Sequence, residues 1–261
     1  MKNISVIVAT HKKYDMPEYN IYLPLQVGKE GKEDLGFRCD NEGDNISSKN
    51  PFFCELTGMY WAWKNLSCDY IGLVHYRRYF TMKKHIFNKK NKMKYVLNDE
   101  EVGKILEDTD IVLPKQRKYY IENLYDHYGH TLYIEPLDET GKIIEEKYPE
   151  YLEEFNKLHK RTSSHMFNMF IMKKEYFDEY CKWLFDILFE LEKRIDTSKY
   201  DVFHSRFFGR ISELLLDVWI NKNGYKYKEV RVMDMESINW FKKGTSFLKA
   251  KFIGKKYEES F

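Results

Sequence analysis

The sequence has no run of about 18 apolar residues, so it offers no helix able to span a bilayer. Met1-Lys2-Asn3 leads straight into Ile4–Ala9, too short a stretch for a signal-peptide core with its cleavage site. The expected location is therefore the cytoplasm. Only four cysteines occur, Cys39, Cys54, Cys68 and Cys181, and none forms a C-x-x-C pair, which leaves zinc and redox motifs without support. Neither G-x-G-x-x-G nor a P-loop string is present, which argues against nucleotidyl transfer. Charge is nearly balanced at +2, whereas a chain built to coat nucleic acid is usually far more basic. Repeats and low-complexity tracts are also missing.

Aromatic residues are abundant: Tyr 21, Phe 18 and Trp 5, or 17% of the chain. Tyrosine joins an apolar ring to a polar tip, which suits both cores and sugar or base stacking. Of the tryptophans, Trp63 falls on an apolar stripe and reads as core, while Trp61 reads as free to stack on a ring.

The pattern of elements favours an α/β domain. Ile4–Ala9 is a β-branched run expected to be a buried first strand, opening at Thr10-His11. Residues 11–50 carry little periodicity and read as a long functional loop. Asn50-Pro51 suits a helix start, with Phe52, Leu56, Met59 and Trp63 on one stripe. Asp69–Tyr76 is the next strand, Asn98–Glu107 a helix, and Asp110–Leu113 a strand closed by Pro114. This alternation predicts a Rossmann-like, mostly parallel central sheet flanked by helices. A charged helix is expected over Glu145–Lys160, interrupted at Pro149, and a strand over Met166–Met172. Further helices are expected over Lys174–Arg194 and Ser205–Lys222, making the C-terminal part helical, and Tyr225–Val232 alternates like an edge strand. Residues 1–240 then form one domain. Residues 241–261 form a basic amphipathic tail, whose lysines interleaved with Phe247, Leu248, Phe252 and Ile253 suit an anionic membrane surface.

The most specific string is His75-Tyr76-Arg77-Arg78-Tyr79-Phe80, directly after an apolar strand. In open α/β sheets ligands bind beyond the carboxyl ends of strands. Guanidinium groups there match phosphate oxygens, so Arg77 and Arg78 suit a diphosphate.

Together with four other stretches, this string resembles a bacterial polysaccharide-biosynthesis glycosyltransferase family long described as a domain of unknown function. Those stretches are Asp44-Asn45-Ile46-Ser47 with Asn50-Pro51; Glu55-Leu56-Thr57 with Tyr60–Asn65; His165–Met172 with Tyr180-Cys181 and Trp183–Phe185; and Arg206 with Gly209 and Glu213. The resemblance covers about Val6 to Trp219. It implies a GT-A-type nucleotide-sugar transferase, and for some members a galactofuranosyltransferase acting on capsule, exopolysaccharide or O-antigen.

Those expectations define a candidate site. Thr10, His11 and the Asp44, Asn45, Ser47 loop would hold the nucleotide of a UDP-sugar. Arg77, Arg78 and His75 would stabilise the departing diphosphate. Inverting transfer also needs a carboxylate to accept the acceptor's hydroxyl proton. Glu213 is the candidate, with Asp138 and Glu139, in a loop before the charged helix, in reserve, although Arg206, Arg210, Glu213 and Asp217 also share the spacing of one charged helix face. His165 and Asn168 would touch the donor sugar, and Tyr76 would stack on a ring. Glu55 reads either as a ligand contact or, more cheaply, as a complement to its helix dipole.

A divalent metal, manganese or magnesium, stays open without a well-placed Asp-x-Asp. Asp108-Thr109-Asp110 precedes its strand and so lies at the wrong sheet edge, whereas Asp234-Met235-Glu236 follows one. The competing readings are retaining transfer, which needs no base, and a non-catalytic glycan-binding module of the same fold.

Overall fold

The computed structural model describes residues 2–84 and 89–236. The basic tail expected over 241–261 lies outside them. The strands are β1 (Ile4–Thr10), β2 (Tyr22–Gln26), β3 (Arg38–Cys39), β4 (Tyr70–His75), β5 (Arg78–Thr81), β6 (Ile111–Pro114), β7 (Arg117–Lys118), β8 (Ser163–Ser164), β9 (Phe170–Lys173) and β10 (Lys228–Asp234). The helices are α1 (Asn50–Phe53), α2 (Leu56–Asn65), α3 (Asp99–Ile105), α4 (Leu124–Thr131), α5 (Glu135–Lys147), α6 (Leu152–Lys160), α7 (Lys174–Arg194) and α8 (Phe207–Asn223).

Eight strands form one sheet in the order β3-β2-β1-β4-β5-β10-β6-β9, with β9 also pairing β4. The half formed by β1 to β4 is parallel, with Ile7 opposite both Leu23 and Leu73. Beyond β4 the pairings β4–β5, β5–β10, β4–β9 and β6–β9 are antiparallel, and only β10–β6 is parallel. The sheet is therefore mixed, which corrects the expectation of a mostly parallel one. The cause is local: Tyr76-Arg77 reverses the chain, so β4 and β5 form a tight hairpin rather than a crossover. β10 lies between β5 and β6, not at an edge.

Alternation along the strands feeds two cores. Ile7, Ala9, Ile71 and Leu73 pack with α2, α5, α7 and α8 on one face. Val6, Val8, Tyr70 and Val74 pack with α3 and Tyr79 on the other. A sheet covered on both faces explains why β1 and β4 read as continuous apolar runs. Gly72 sits where this layering is tightest. A Cβ there would lie 3.0 Å from Ile171 Cγ1 and 3.1 Å from the Phe170 carbonyl oxygen, so any side chain pushes β9 away.

Local signals place α3, α6, α7 and α8, whereas α4 and most of α5, over residues 124–144, fall where no helix is expected. α3 starts on a capping box in which Asn98 accepts from Glu101 N–H and Glu101 accepts from Asn98 N–H. α7 spans the expected residues, and Tyr148–Tyr151, carrying Pro149, separates α5 from α6. The helix expected from Asn50 breaks at Cys54, whose φ is +51°. Asn50 does not cap it through its oxygen. Its amide nitrogen instead donates to the Cys54 carbonyl at 2.8 Å and to Thr57 Oγ1 at 3.2 Å, holding the break. Among the described residues no helix is long and apolar enough to cross a membrane.

Candidate active site

Because β1, β2 and β4 run in the same direction, their carboxyl ends open together. They meet α1, the break between α1 and α2, α4 and α8 around a cleft of about 760 Å³. One wall carries His11, His75, Tyr76, Arg77 and Arg78. The facing wall carries Cys54, Glu55, Arg206, Arg210 and Glu213, and Arg117 and Tyr128 close it from the β7 and α4 side.

Both arginines of the hairpin line this cleft. Arg78 Nε donates to Asp234 Oδ1 at 3.0 Å, and the guanidinium lies 4.4 Å from the centre of the Phe167 ring. Arg77 is more open, with Glu236 Oε2 at 3.5 Å and its guanidinium 5.3 Å from the Tyr76 ring. Tyr76 is buried edge-on against His11, at 5.4 Å between ring centres, and against Tyr14, at 5.1 Å. It is packed between side chains rather than left open for stacking.

His75 has a different part from the expected one. Its Nε2 faces the Phe167 carbonyl oxygen at 2.5 Å, which accepts the ring's N–H. Burial lowers its pKa, outweighing the upward effects of Glu55 and then the Phe167 carbonyl, and Arg78 and Arg77 add to the lowering. His75 thus stays neutral near pH 7 and anchors the loop before β9. It does not add a charge to the arginines. His11 is likewise lowered, first by burial and then by Arg77 and Lys12.

Glu213 projects from α8 into the cleft, half-buried. Burial, and after it the Glu55 carboxylate, pushes its pKa up to about 7, against the opposing pull of Arg210, Arg78 and Arg117. A carboxyl poised there accepts a proton at neutral pH far more effectively than an ordinary one. Glu55 joins it on the same wall. Its Oε1 accepts from Asn168 Nδ2 at 2.7 Å, and the same amide donates to the Gly209 carbonyl at 2.9 Å. Arg210 is packed 4.0 Å from the Phe203 ring. The Cys54 thiol is pushed up to about 12, chiefly by burial and then by Glu55, so it stays protonated and is no nucleophile.

Cys54, Phe167 and Asn168 are the non-glycine residues with positive φ among those described, at +51°, +78° and +51°. All three lie in or beside this cleft. Left-handed backbone costs about 1–3 kcal/mol at a residue such as Phe167 and concentrates at functional sites.

Several expected residues lie elsewhere. Thr10 is buried under the cleft floor, its hydroxyl donating to the Lys12 carbonyl at 2.6 Å. The Asp44–Ser47 segment is structural. Asp44 is tied to Asn65 and accepts from Tyr60, Asn45 Oδ1 accepts from Ser47 N–H, and Ser47 donates to buried Asp40 at 2.5 Å. Asp138 lies exposed in the first turn of α5, not in a loop, and accepts from Tyr125. His165 is buried outside the cleft, its Nδ1 bonded to Asp217 and its Nε2 3.1 Å from Glu229. Ser164 also donates to Asp217, at 2.7 Å. The residues read as one charged helix face are therefore split: Arg206, just before α8, lines the cleft with Arg210 and Glu213, whereas Asp217 is buried away from it. Trp61 is core, 1% exposed, whereas Trp63 is the half-buried one and stacks on Phe185.

Arg117, Lys32 and Tyr128 line the cleft without any signal in the local sequence. Arg117 arrives through the pairing of β7 with β8, across a gap of 47 residues from Gln116 to Ser163.

The acidic strings do not build a metal site. Asp110 lies far from the cleft mouth, bonded to Tyr70 at the opposite strand ends. Asp234 is taken by Arg78, and Glu236 by Arg77 and, at 3.9 Å, Lys12. Among the described residues no three His, Cys, Asp or Glu side chains gather as ligands.

Comparison with known proteins agrees with this architecture. The solved apo structure of the bifunctional glycosyltransferase WbbM superposes with a TM-score of 0.83 at 32% identity, over 90% of this chain. The chain spans 46% of the length of that one. No curated protein matches it. A family model described as a domain of unknown function, DUF4422, matches residues 5–224, and the chain belongs to that family.

Proposed function

We propose that this chain is a glycosyltransferase that moves a sugar from a UDP-sugar to a growing bacterial surface polysaccharide, with inversion at the anomeric carbon. One observation carries this reading. A carboxyl with a pKa near 7 sits among Arg77, Arg78, Arg117, Arg206 and Arg210, in a cleft at the carboxyl ends of parallel strands. The likeness to WbbM supports the reaction class. Galactofuranose or galactose as the donor sugar, and a GT-A-type arrangement, follow from the family resemblance.

The chemistry is a single displacement. The acceptor hydroxyl oxygen attacks the anomeric carbon while Glu213 takes its proton. The bond from that carbon to the β-phosphate oxygen breaks, and its electron pair leaves with UDP. Arg77 and Arg78 stabilise the charge that develops on the diphosphate, since fixed cations aimed at a leaving group lower the barrier most in a water-poor cleft. Carboxylates already engaged by arginines do not fit a divalent cation, so no step is assigned to one.

The test is a transfer assay with a panel of UDP-sugars and glycan acceptors, with product anomer analysis. Wild type is expected to give the inverted product, and Glu213→Gln to lose at least about 100-fold in rate. Transfer that survives Glu213→Gln would remove the base. Retention of configuration would replace the single displacement. Donor left intact, with neither transfer nor hydrolysis, would make the domain a glycan-binding module.

A further inference from the structure

Glu55 stands at the start of α2, where a carboxylate ordinarily caps the helix, yet it makes no capping hydrogen bond there. Its Oε1 is held instead by Asn168, and Asn168 is itself 3% exposed and fixed to the Gly209 carbonyl. Gly209 and Glu213 stand one turn apart on the same face of α8. Glu55 Oε1 lies 3.8 Å from where a Cβ on Gly209 would be, so this carboxylate rests on the turn of α8 just before Glu213.

Holding Asn168 in that place requires two successive left-handed residues. Asparagine tolerates this conformation, whereas Phe167 does not without cost. The cost is met by what the turn organises. The Phe167 carbonyl receives the His75 N–H, its ring carries Arg78, and Asn168 clamps Glu55.

We infer that Asn168 and Glu55 are a positioning pair that fixes a negative charge beside Glu213 and so sets the pH at which Glu213 takes up its proton. Two nearby carboxylates resist simultaneous ionisation. The other groups facing Glu213 cannot supply this effect. Arg210 on α8, Arg78 on β5 and Arg117 on β7 are cations and act in the opposite sense, and Arg206, just before α8, is a further cation of the cleft. His75 on β4, Tyr128 on α4 and Cys54 at the α1–α2 break are neutral near pH 7. Glu55 does not reach the acceptor proton in this scheme. It acts through Glu213.

The inference rests on Glu213 as the base, but its physical content can be read without turnover. The test follows the Glu213 carboxyl carbon by NMR in glutamate-labelled protein across a pH titration, assigned by its loss in Glu213→Gln. Glu55→Gln keeps an oxygen for Asn168 to donate to, and so preserves the clamp while removing the charge. It is expected to lower the Glu213 midpoint by about one pH unit, a tenfold loss of proton affinity. Glu55→Asp should recover most of that shift, and Asn168→Ala should give a partial shift in the same direction. The acid limb of the rate–pH profile should move with the midpoint. A midpoint unchanged or raised in folded Glu55→Gln overturns the inference. A wild-type protein with no transfer activity would defeat the proposed function and leave this titration result standing.

Discussion

Glu213 shows how a single residue trades stability for reactivity. Its carboxyl holds a proton up to about pH 7 in the folded chain, against an ordinary value of 4.5. The folded state therefore binds more protons than the unfolded state between those values, and stability falls with rising pH. This contribution is fully present below about pH 4.5 and is lost as pH passes through 7. Glu213→Gln, which stays neutral, is expected to be more stable than wild type at about pH 8 by roughly 2 kcal/mol, after allowance for partial exposure. At about pH 4 the two should match. Thermal melts at both pH values check this. Equal melting temperatures at the alkaline pH would mean that Glu213 ionises freely and is not tuned by its surroundings. The same substitution that removes the proposed base should thus strengthen the fold, as expected where a site carries strain for function.

At the scale of elements, the segment before α1 behaves differently from its sequence. Residues 11–50 lack periodicity, yet they contain β2 and β3 and close around one buried carboxylate. Asp40 is 0% exposed and accepts from Gly28 N–H at 2.7 Å, Lys29 N–H at 3.1 Å, Ser47 Oγ at 2.5 Å and Thr57 Oγ1 at 2.6 Å. Gly28 is required at this clasp. Its φ is +64°, and a Cβ would fall 2.2 Å from the Asn50 side chain. Asp40→Ala orphans four donors at once, so a loss of about 3–5 kcal/mol is expected. Urea unfolding measures it, and a loss below about 1 kcal/mol would show that the clasp is not what holds this segment. Local signals were legible: the helices over α3 and α7 and the arginines that follow β4. What stayed hidden depends on distant pairing. Strand direction beyond β4 follows from a two-residue reversal, the edge-like alternation of β10 gave no hint of its interior place, and Glu55 meets Asn168 across 113 residues. The rule that a helix-start carboxylate serves its own dipole was sound locally and lost to that tertiary contact. His165 and the Asp44–Ser47 segment went the other way. Polar residue types suggested ligands, but buried partners within the protein already satisfy them.

For the whole molecule, the near-balance of charge conceals a strong local field. The net charge is only +2, yet the cleft gathers Lys32, Arg77, Arg78, Arg117, Arg206 and Arg210 against Glu55 and Glu213. A concave, low-dielectric wall focuses such a field on an anion, and dissolved salt weakens it. UDP binding is therefore expected to weaken by roughly tenfold as sodium chloride rises from about 0.05 M to about 0.5 M. The two hairpin arginines should contribute unequally. Arg78 is fixed on Phe167 and Asp234, so its charge is pre-organised, while Arg77 is 40% exposed and must be ordered by the ligand. Arg78→Ala should then cost more affinity than Arg77→Ala, and the double variant should flatten the salt dependence. Isothermal titration with UDP across this salt series reads all three outcomes. Affinity and salt slope both unchanged in the double variant would take the diphosphate away from these arginines and leave the facing wall, Arg117, Arg206 and Arg210, as the place where the anion sits.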